Sequence, residues 1–268
     1  MAVAVNGATR LHIIVGDPIV QVQSPAGMTR AFAADGENAV LLPVHVTPSD
    51  LGALLAAISP VRNLDGIIAT IPHKFACYRF CSSASERARF LGAVNIMRRT
   101  ADGAWHGDML DGLGFVGAIR AKGCEPRGLR ALLVGAGGAG SAIAYSLLEE
   151  GVGELAIHDA DPARRDALIA RLAKMAKVPV IAGSSDPAGF GLVVNASPAG
   201  MQPGDPYPVD PARLAPATFV GCVITAPEVS PIVAAARALG RNASTGIDMY
   251  NAAQKMMLDF LRAGARLA

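Results

Sequence analysis

Three glycines, at positions 135, 137 and 140, give the clearest chemical signal in the sequence. They stand in G-x-G-x-x-G spacing within LLVGAGGAGSA, directly after an apolar run and at the start of an alanine-rich run. Such glycines permit a tight turn, a close approach of the backbone to a pyrophosphate, and close packing of helix on strand, while the helix N-terminus favours an anion. The spacing predicts dinucleotide binding, and a purely structural glycine turn is the alternative. The predicted loop consists of Gly135, Ala136, Gly137, Gly138, Ala139 and Gly140.

A carboxylate follows at the end of the next apolar run, ELAIHDA, about twenty residues further on. At that place the side chain of Asp159 can accept hydrogen bonds from the ribose hydroxyls of a dinucleotide, and it would repel a ribose 2′-phosphate. No arginine stands at this predicted strand end, so NAD is favoured over NADP. Arg164 and Arg165, a turn or more into the next predicted helix, are the counter-evidence unless they are simply solvated.

Composition limits the classes of function. The 268 residues carry a net charge of only +2, and no basic run suggests a nucleic-acid partner, so a small-molecule ligand is expected. The first residues lack a basic, signal-like region, and no run of about twenty apolar residues suggests a membrane span. We therefore expect a soluble, cytoplasmic protein. The four cysteines form no CxxC pair, which predicts buried free thiols and no metal site.

Short β-rich runs alternate with Ala/Leu-rich amphipathic runs along the chain, the pattern of α/β proteins with parallel sheets. A first α/β unit is predicted from strands over 10–16, 39–46 and 65–71 with a helix over 49–58. A strand pair over 92–99 and 102–109 follows, joined around Asp102-Gly103. After a helix from position 111, the pattern restarts near Leu129 with strands at 130–136, 154–160, 178–183, 191–197 and 219–225. Helices are predicted at 141–151, 162–177, 230–240 and from about 248.

Seven stretches, taken in order, resemble the shikimate dehydrogenase family over nearly the whole chain. They are GDPIVQVQSP (16–25), GIIATIPHK (66–74), GAVNIM (92–97), GDMLDGLGF (107–115), GAGGAG (135–140), VVNASPAGM (193–201), and SP at 230–231 with GIDM at 246–249. The resemblance implies a substrate-binding α/β domain over 1–110, completed by a C-terminal helix over 246–268. It also implies a Rossmann-type NAD(P)-binding domain over 111–245. The implied reaction is the reversible NAD(P)-linked reduction of 3-dehydroshikimate to shikimate, a step of aromatic amino acid biosynthesis.

The resemblance implies that Lys74 and Asp111 form the catalytic dyad. Reduction of a carbonyl by hydride produces an alkoxide, which needs a proton donor within hydrogen-bond reach, and Lys74 would be that donor. Asp111 would orient the lysine and bind the reacting hydroxyl or its neighbour. The alternatives are a surface lysine beyond a strand and an aspartate that caps the helix GLGFVGAI. His73, next to Lys74, is interpreted as a structural or surface histidine.

The implied substrate pocket departs from the family pattern. Ser24, Thr70 and Asn95 match residues that hydrogen-bond the substrate. However, Val22 stands where the family usually has a second serine, and Thr225 replaces the tyrosine that reaches the substrate carboxylate. Losing two hydrogen bonds to a charged group removes roughly 3 to 6 kcal/mol, or about 100-fold to above 10,000-fold in affinity. This predicts poor activity on shikimate, with another hydroxylated ring acid or a less polar analogue as substrate.

Several further positions follow from the same resemblance. Gln254 is the nearby candidate for a glutamine that binds a substrate hydroxyl, although it falls five residues after Met249 where the family spacing is four. The residues expected near the nicotinamide are Asn195, Ala196, Ser197, Gly246 and Met249. The alternatives for the whole protein are a quinate dehydrogenase and a non-catalytic NAD-binding regulator. Exposed edge strands in such domains often pair, so a homodimer is also considered.

Overall fold

The computed structural model describes residues 5–267 and divides them into two compact units. The first contains the described residues up to Leu110 together with those from Gln254 onward, and the second runs from Asp111 to Ala253. The C-terminal return to the first unit therefore falls inside the last helix rather than at its start near residue 246.

The first unit is a six-stranded mixed sheet with helices. Its strands are β1 (Arg10–Gly16), β2 (Ala39–His45), β3 (Leu64–Ala69), β4 (Ser83–Ala84), β5 (Ile96–Arg99) and β6 (Trp105–Asp108). Its helices are α1 (Ser24–Ala34), α2 (Leu51–Ile58), α3 (Lys74–Tyr78) and α4 (Glu86–Leu91). The strand order is β2-β1-β3-β5-β6-β4, in which β1 pairs in parallel with β2 and β3. The buried β-branched residues of β1 and β3 explain why these strands lie at the centre.

The predicted strand pair is confirmed as an antiparallel hairpin of β5 and β6. Its turn is fixed by the Asp102 carboxylate, which accepts hydrogen bonds from Thr100 Oγ1 and from the backbone N–H of Ala104. The chain after the last helix also packs on this hairpin, because Ala265 donates its N–H to the carbonyl of Arg99 at 3.0 Å.

The second unit is a six-stranded parallel sheet with helices between its strands. Its strands are β7 (Arg130–Val134), β8 (Glu154–His158), β9 (Val180–Ala182), β10 (Leu192–Asn195), β11 (Phe219–Cys222) and β12 (Ala243–Ser244). Its helices are α5 (Asp111–Ala121), α6 (Gly138–Glu149), α7 (Pro162–Leu172), α8 (Pro231–Ala238) and α9 (Gly246–Arg262), which continues into the first unit. The order is β12-β11-β10-β7-β8-β9, and all the recorded pairs are parallel. The chain order reverses at β7 and β10, the place where doubly wound sheets bind ligands at the carboxyl ends of the strands.

The helix predicted over 162–177 ends earlier than expected, at Leu172. Leu168 and Leu172 are its buried residues. The chain leaves the α-helix after Leu172 in a turn, in which Met175 N–H donates to Leu172 O. Asp161 begins this helix as an N-cap, and its carboxylate accepts from the N–H groups of Ala163 and Arg164. None of the described helices is both long enough and apolar enough to cross a membrane.

Candidate active site

The turn after β7 has the shape that the glycine spacing predicts. Gly135 has a φ of 103°, which favours glycine, and a Cβ there would lie 2.7 Å from backbone atoms of Ala196. Gly140 faces the turn so closely that a Cβ on it would lie 1.9 Å from Gly135 O. This contact lets α6 begin directly against the strand.

The same turn leaves room for a ligand. At Gly137 an added Cβ would meet nothing within 4 Å, so the backbone there borders open space. Gly137 is also the N-cap of α6, and it has no side chain with which to cap the first N–H groups of that helix. An open backbone at an uncapped helix N-terminus fits the pyrophosphate of a dinucleotide.

Asp159 lies one residue beyond β8, and its carboxylate is buried against the glycine loop. Oδ2 accepts from the N–H of Ala136 at 2.7 Å, and Oδ1 accepts from the N–H of Asp161 at 2.8 Å. Arg164 reaches back from α7 to place Nη1 3.5 Å from Asp159 Oδ1. An arginine therefore does stand beside this strand end, although its side chain is more than half exposed. The pairing of Arg164 with Asp159 was not predicted, because Arg164 lies in the next helix rather than at the strand end.

The segment after β10 is held beside the glycine loop. Ala196 donates its N–H to Val134 O at 2.8 Å. Within its own turn, the side chain of Asn195 accepts at Oδ1 from the N–H and hydroxyl of Ser197 and donates from Nδ2 to Ala199 O at 3.0 Å. Nδ2 also donates to Cys222 Sγ at 3.5 Å, at the end of β11. Asn195 therefore shapes the loop, and Ala196 and Ser197 form its half-buried part.

The start of α9 carries the other two residues predicted near the nicotinamide. Gly246 donates its N–H to Ile224 O at 3.2 Å, which joins α9 to the chain after β11. Thr245 precedes it and exchanges hydrogen bonds with Asp248 in the manner of a capping residue. Met249 and Thr225 are half-buried.

Lys74 is the first residue of α3 in the first unit, five residues beyond the end of β3. Its carbonyl accepts from the N–H of Val94 at 3.0 Å. Lys74 as a whole is half-buried. Thr70, at the end of β3, donates its N–H to Val15 O at 3.0 Å. Thr70 and Lys74 thus both lie in the segment that follows the carboxyl end of a central strand.

His73 is buried, which excludes the surface position that the sequence also allowed. The residue is 1% exposed, and its Nε2 lies 2.8 Å from Val46 O. Because a carbonyl oxygen only accepts, Nε2 must carry the proton in this hydrogen bond. The ring joins the end of β2 to the beginning of α3.

Asn95 is a buried junction between three segments of the first unit. Its carbonyl accepts from Ala69 N–H at 2.8 Å, and its N–H donates to Asp108 O at 2.9 Å. Its side-chain Oδ1 accepts from Leu110 N–H at 2.9 Å. The next residue, Asp111, is buried and begins both α5 and the second unit.

The remaining predicted substrate residues are spread over two helices and a loop. Ser24 is buried at the start of α1, and Val22 precedes it in a half-buried turn. Gln254 is half-buried on α9, where that helix enters the first unit. Among the described residues, no cluster of three or more His, Cys, Asp or Glu side chains could hold a metal ion. All four cysteines are free, and Cys77, Cys124 and Cys222 are buried.

The sequence missed one polar cluster in the first unit. Asp108 is buried, and its carboxylate binds Arg87 through two hydrogen bonds. The only available signal was the place of Asp108 directly after Gly107 in GDMLDG, three residues before Asp111.

The reversed strand order, the glycine loop and the acidic residue after the next strand define the second unit as a Rossmann-type dinucleotide-binding domain, and the first unit is an α/β domain. Residues 14–97 match the model of the shikimate dehydrogenase substrate binding domain. The chain belongs to the shikimate dehydrogenase family. It is 34% identical over 252 residues to shikimate dehydrogenase (NADP(+)) of Rhodospirillum rubrum, covering 91% of this chain and 89% of that one.

Two further relatives agree. Shikimate dehydrogenase (NADP(+)) of Rubrobacter xylanophilus is 36% identical over 247 residues, which cover 90% of this chain and 87% of that protein. The solved structure of quinate dehydrogenase from Corynebacterium glutamicum in complex with NAD is 27% identical, with a TM-score of 0.83 over 97% of this chain and 95% of that one. The protein is therefore an NAD(P)-dependent oxidoreductase of the shikimate dehydrogenase type.

Proposed function

We propose that the protein catalyses the reversible reduction of 3-dehydroshikimate, or of a related ring ketone, to the corresponding alcohol. The observation that supports this best is the position of Lys74 at the start of α3, in the segment that follows β3 and in the same unit as Thr70 and Asn95. A central strand of this unit is followed by the hydroxyl side chain of Thr70 and then by the amine of Lys74. Such groups suit a substrate oxygen that must gain a proton.

The proposed proton chemistry uses two side chains. The bound nicotinamide cofactor supplies or removes the hydride. Lys74 gives its proton to the oxygen that becomes the alcohol and takes a proton from it in the reverse direction. Asp111 holds the amine and the substrate hydroxyl in hydrogen-bonding orientation. Ser24, Thr70, Asn95 and Gln254 bind the ring substituents.

We propose NAD as the preferred cofactor. The support is the buried carboxylate of Asp159, which disfavours a 2′-phosphate at this strand end. Arg164 beside it supports the opposite choice, and the relatives cited above are named for NADP(+). The carboxylate is nearly enclosed while the guanidinium is largely exposed, and for this reason we give the carboxylate more weight.

The substrate is proposed to differ from shikimate in how its carboxylate is bound. The side chain of Val22 cannot donate a hydrogen bond, and the side chain of Thr225 is several ångströms shorter than that of a tyrosine. A quinate-like acid is the second candidate, supported by the likeness to a quinate dehydrogenase structure. A less polar analogue is a further candidate.

Steady-state kinetics with shikimate, quinate and related hydroxy compounds, each with NAD and with NADP, test these proposals. A kcat/KM for shikimate near 10⁵ M⁻¹s⁻¹ or above, roughly the ordinary enzyme range, would refute the altered substrate choice.

The Lys74→Ala variant separates the enzyme from a non-catalytic regulator. We expect turnover to fall by about 100-fold or more while dinucleotide binding persists. If the parent protein binds NAD(H) but turns over none of the tested compounds, and Lys74→Ala does not alter any ligand response, the regulator is the better description.

A further inference from the structure

The carboxylate of Asp108 is the centre of a buried polar cluster at the end of β6. Arg87 on α4 donates Nε to Oδ1 at 2.8 Å and Nη2 to Oδ2 at 2.5 Å. This paired arrangement fixes both the position and the rotation of the carboxylate, since two parallel hydrogen bonds leave it no free torsion.

The same carboxylate holds the chain that follows it. Oδ1 also accepts from the backbone N–H of Met109 at 2.7 Å and from the hydroxyl of Ser85. Ser85 is in turn the N-cap of α4, where its Oγ accepts from the N–H of Ala88. The first turn of α4 and the turn after β6 are therefore tied to one side chain.

Asn95 completes the cluster. Its N–H donates to the carbonyl of Asp108, and its Oδ1 accepts from Leu110 N–H. The N–H groups of Met109 and Leu110 are thus satisfied by the side chains of Asp108 and Asn95 in turn. Met109 and Leu110 have buried, apolar side chains. Their own contribution to the polar contacts of this turn therefore comes from their backbone groups.

We propose that Arg87 and Asp108 are positioning residues for the reaction. They fix the orientation of Asn95 and the path of residues 109–110, and so the point at which the chain presents Asp111. This inference rests on the proposed function, in which Asn95 binds the substrate and Asp111 belongs to the dyad.

An effect on rate is expected because small displacements of a catalytic group are costly. A shift of about 1 Å can lower a rate by about 100-fold. Arg87 is the suitable member to change, since its side chain is 29% exposed and the Asp108 carboxylate keeps Ser85 and Met109 as partners without it. Removing Arg87 therefore loosens the turn while the surrounding core remains packed.

Arg87→Met is tested with Arg89→Met as the matched control. Arg89 lies on the same helix and donates Nη1 to the carbonyl of Ala84 at 2.8 Å, whereas the hydrogen bonds of the Asp108 carboxylate described above come from Arg87, Ser85 and Met109. For Arg87→Met we expect kcat to fall by about 10- to 100-fold, with the Kd for the dinucleotide unchanged, and for Arg89→Met a kcat within about twofold of the parent. Arg87→Lys, which keeps the charge and one donor, should restore part of the loss.

If Arg87 had a purely structural role, Arg87→Met would lower the melting temperature, and kcat and dinucleotide affinity would change together. Arg87→Lys would then not restore kcat. That result, or a parental kcat in Arg87→Met, overturns the inference. If Arg87→Met does not fold, Ser85→Ala removes one contact of the same carboxylate, and a parental kcat there overturns the inference as well.

Lys74→Ala and Asp111→Asn separate this inference from the proposed function. If these two variants lose turnover while Arg87→Met does not, only the positioning role fails. If they keep parental turnover, the proposed dyad fails and the positioning role fails with it.

Discussion

The side chain of Asp159 and the backbone of Ala136 are joined by a hydrogen bond, with 2.7 Å between Oδ2 and the amide nitrogen. Asp159 was expected only to meet the ribose of a cofactor, but it also fixes the second residue of the glycine loop. The shape of the loop and the proposed contact with the cofactor therefore depend on one carboxylate. Arg164, 3.5 Å from the other oxygen, is the nearby positive charge that would respond if this carboxylate were removed.

Asp159→Ala should shift cofactor preference from NAD toward NADP. A lost hydrogen bond to a charged group corresponds to roughly 1.5 to 3 kcal/mol, or about a 10- to 100-fold rise in the KM for NAD. The KM for NADP should rise less, because the repulsion of the 2′-phosphate disappears and Arg164 loses Asp159 as a partner while it keeps Asp161. The measurement is the ratio of kcat/KM with NAD to that with NADP.

Arg164→Ala is the matched control for that shift. It should weaken NADP use and leave the KM for NAD nearly unchanged, because its side chain is largely exposed and its pairing with Asp159 is long. Equal losses for both cofactors in Asp159→Ala would mean that the carboxylate serves the loop alone.

Two glycines of one loop should respond differently to the same added methyl group. In Gly140→Ala the new Cβ would lie 1.9 Å from Gly135 O, a backbone atom that cannot turn aside, so we expect a loss of about 1 to 3 kcal/mol or more in unfolding free energy. In Gly137→Ala the Cβ enters open space at a φ of −73°, so stability should be retained. The pyrophosphate would meet that methyl group, and the affinity for NAD(H) should fall.

Thermal unfolding and NADH fluorescence titration on both variants give the answer. The expected pattern is an unstable Gly140→Ala beside a stable Gly137→Ala that binds NADH weakly. A Gly137→Ala protein with parental NADH affinity would contradict the proposed approach of the pyrophosphate to that residue.

The glycine loop could be predicted because each of its requirements is local. The tight turn, the strand before it and the helix after it are all encoded within a dozen or so neighbouring residues. The same is true of the β5–β6 hairpin, where Asp102 fixes the turn with its own carboxylate. Patterns of this kind need no knowledge of distant parts of the chain.

Contacts between distant segments were not predictable in this way. Nothing in the spacing of Arg87 and Asp108 shows that they pair, because the rest of α4, the strand β5 and the hairpin turn lie between them in the chain. The reach of Arg164 back to Asp159 depends on where α7 begins, and helix boundaries are poorly determined by sequence. The short helices α3 and α4 were missed because five or six residues give too little periodicity.

Thr225→Tyr should raise activity on shikimate. A tyrosine hydroxyl would restore a donor at the position that the family uses for the substrate carboxylate, and one such hydrogen bond corresponds to roughly 1.5 to 3 kcal/mol. We expect kcat/KM for shikimate to increase by about 10-fold or more, mainly through a lower KM.

Thr225→Phe is the matched control, since it has the same ring without the hydroxyl. An equal gain in both variants would show that ring packing rather than a hydrogen bond is responsible. A loss in Thr225→Tyr, with Thr225→Phe unaffected, would show that residue 225 does not meet the carboxylate.

His12 gives the fold a dependence on pH that is separate from catalysis. It lies on β1, 5% exposed, with its ring stacked on Phe32 at a centroid distance of 4.8 Å. Nδ1 has no hydrogen-bond partner among the described residues. Burial lowers the pKa of His12 from 6.5 to about 4, and Arg10 and Arg266 add to this while Asp65 opposes it.

The sign of the effect follows from proton binding. Between pH 6.5 and about 4 the unfolded chain binds a proton at residue 12 and the folded protein does not, so acid favours unfolding over that range. Between about pH 7.5 and about pH 4.5 this single group should remove about 2.5 kcal/mol of unfolding free energy. Above pH 6.5 its contribution is fully present.

Denaturant unfolding of the parent and of His12→Gln at those two pH values isolates the contribution. Glutamine does not titrate, and any fixed cost of burying its amide cancels when each protein is compared with itself. The parent should lose about 2.5 kcal/mol more than the variant on acidification, since the carboxylates that also protonate there are common to both. Equal losses in the two proteins would mean that residue 12 takes up its proton without unfolding, so that its burial does not contribute to the acid sensitivity of the fold.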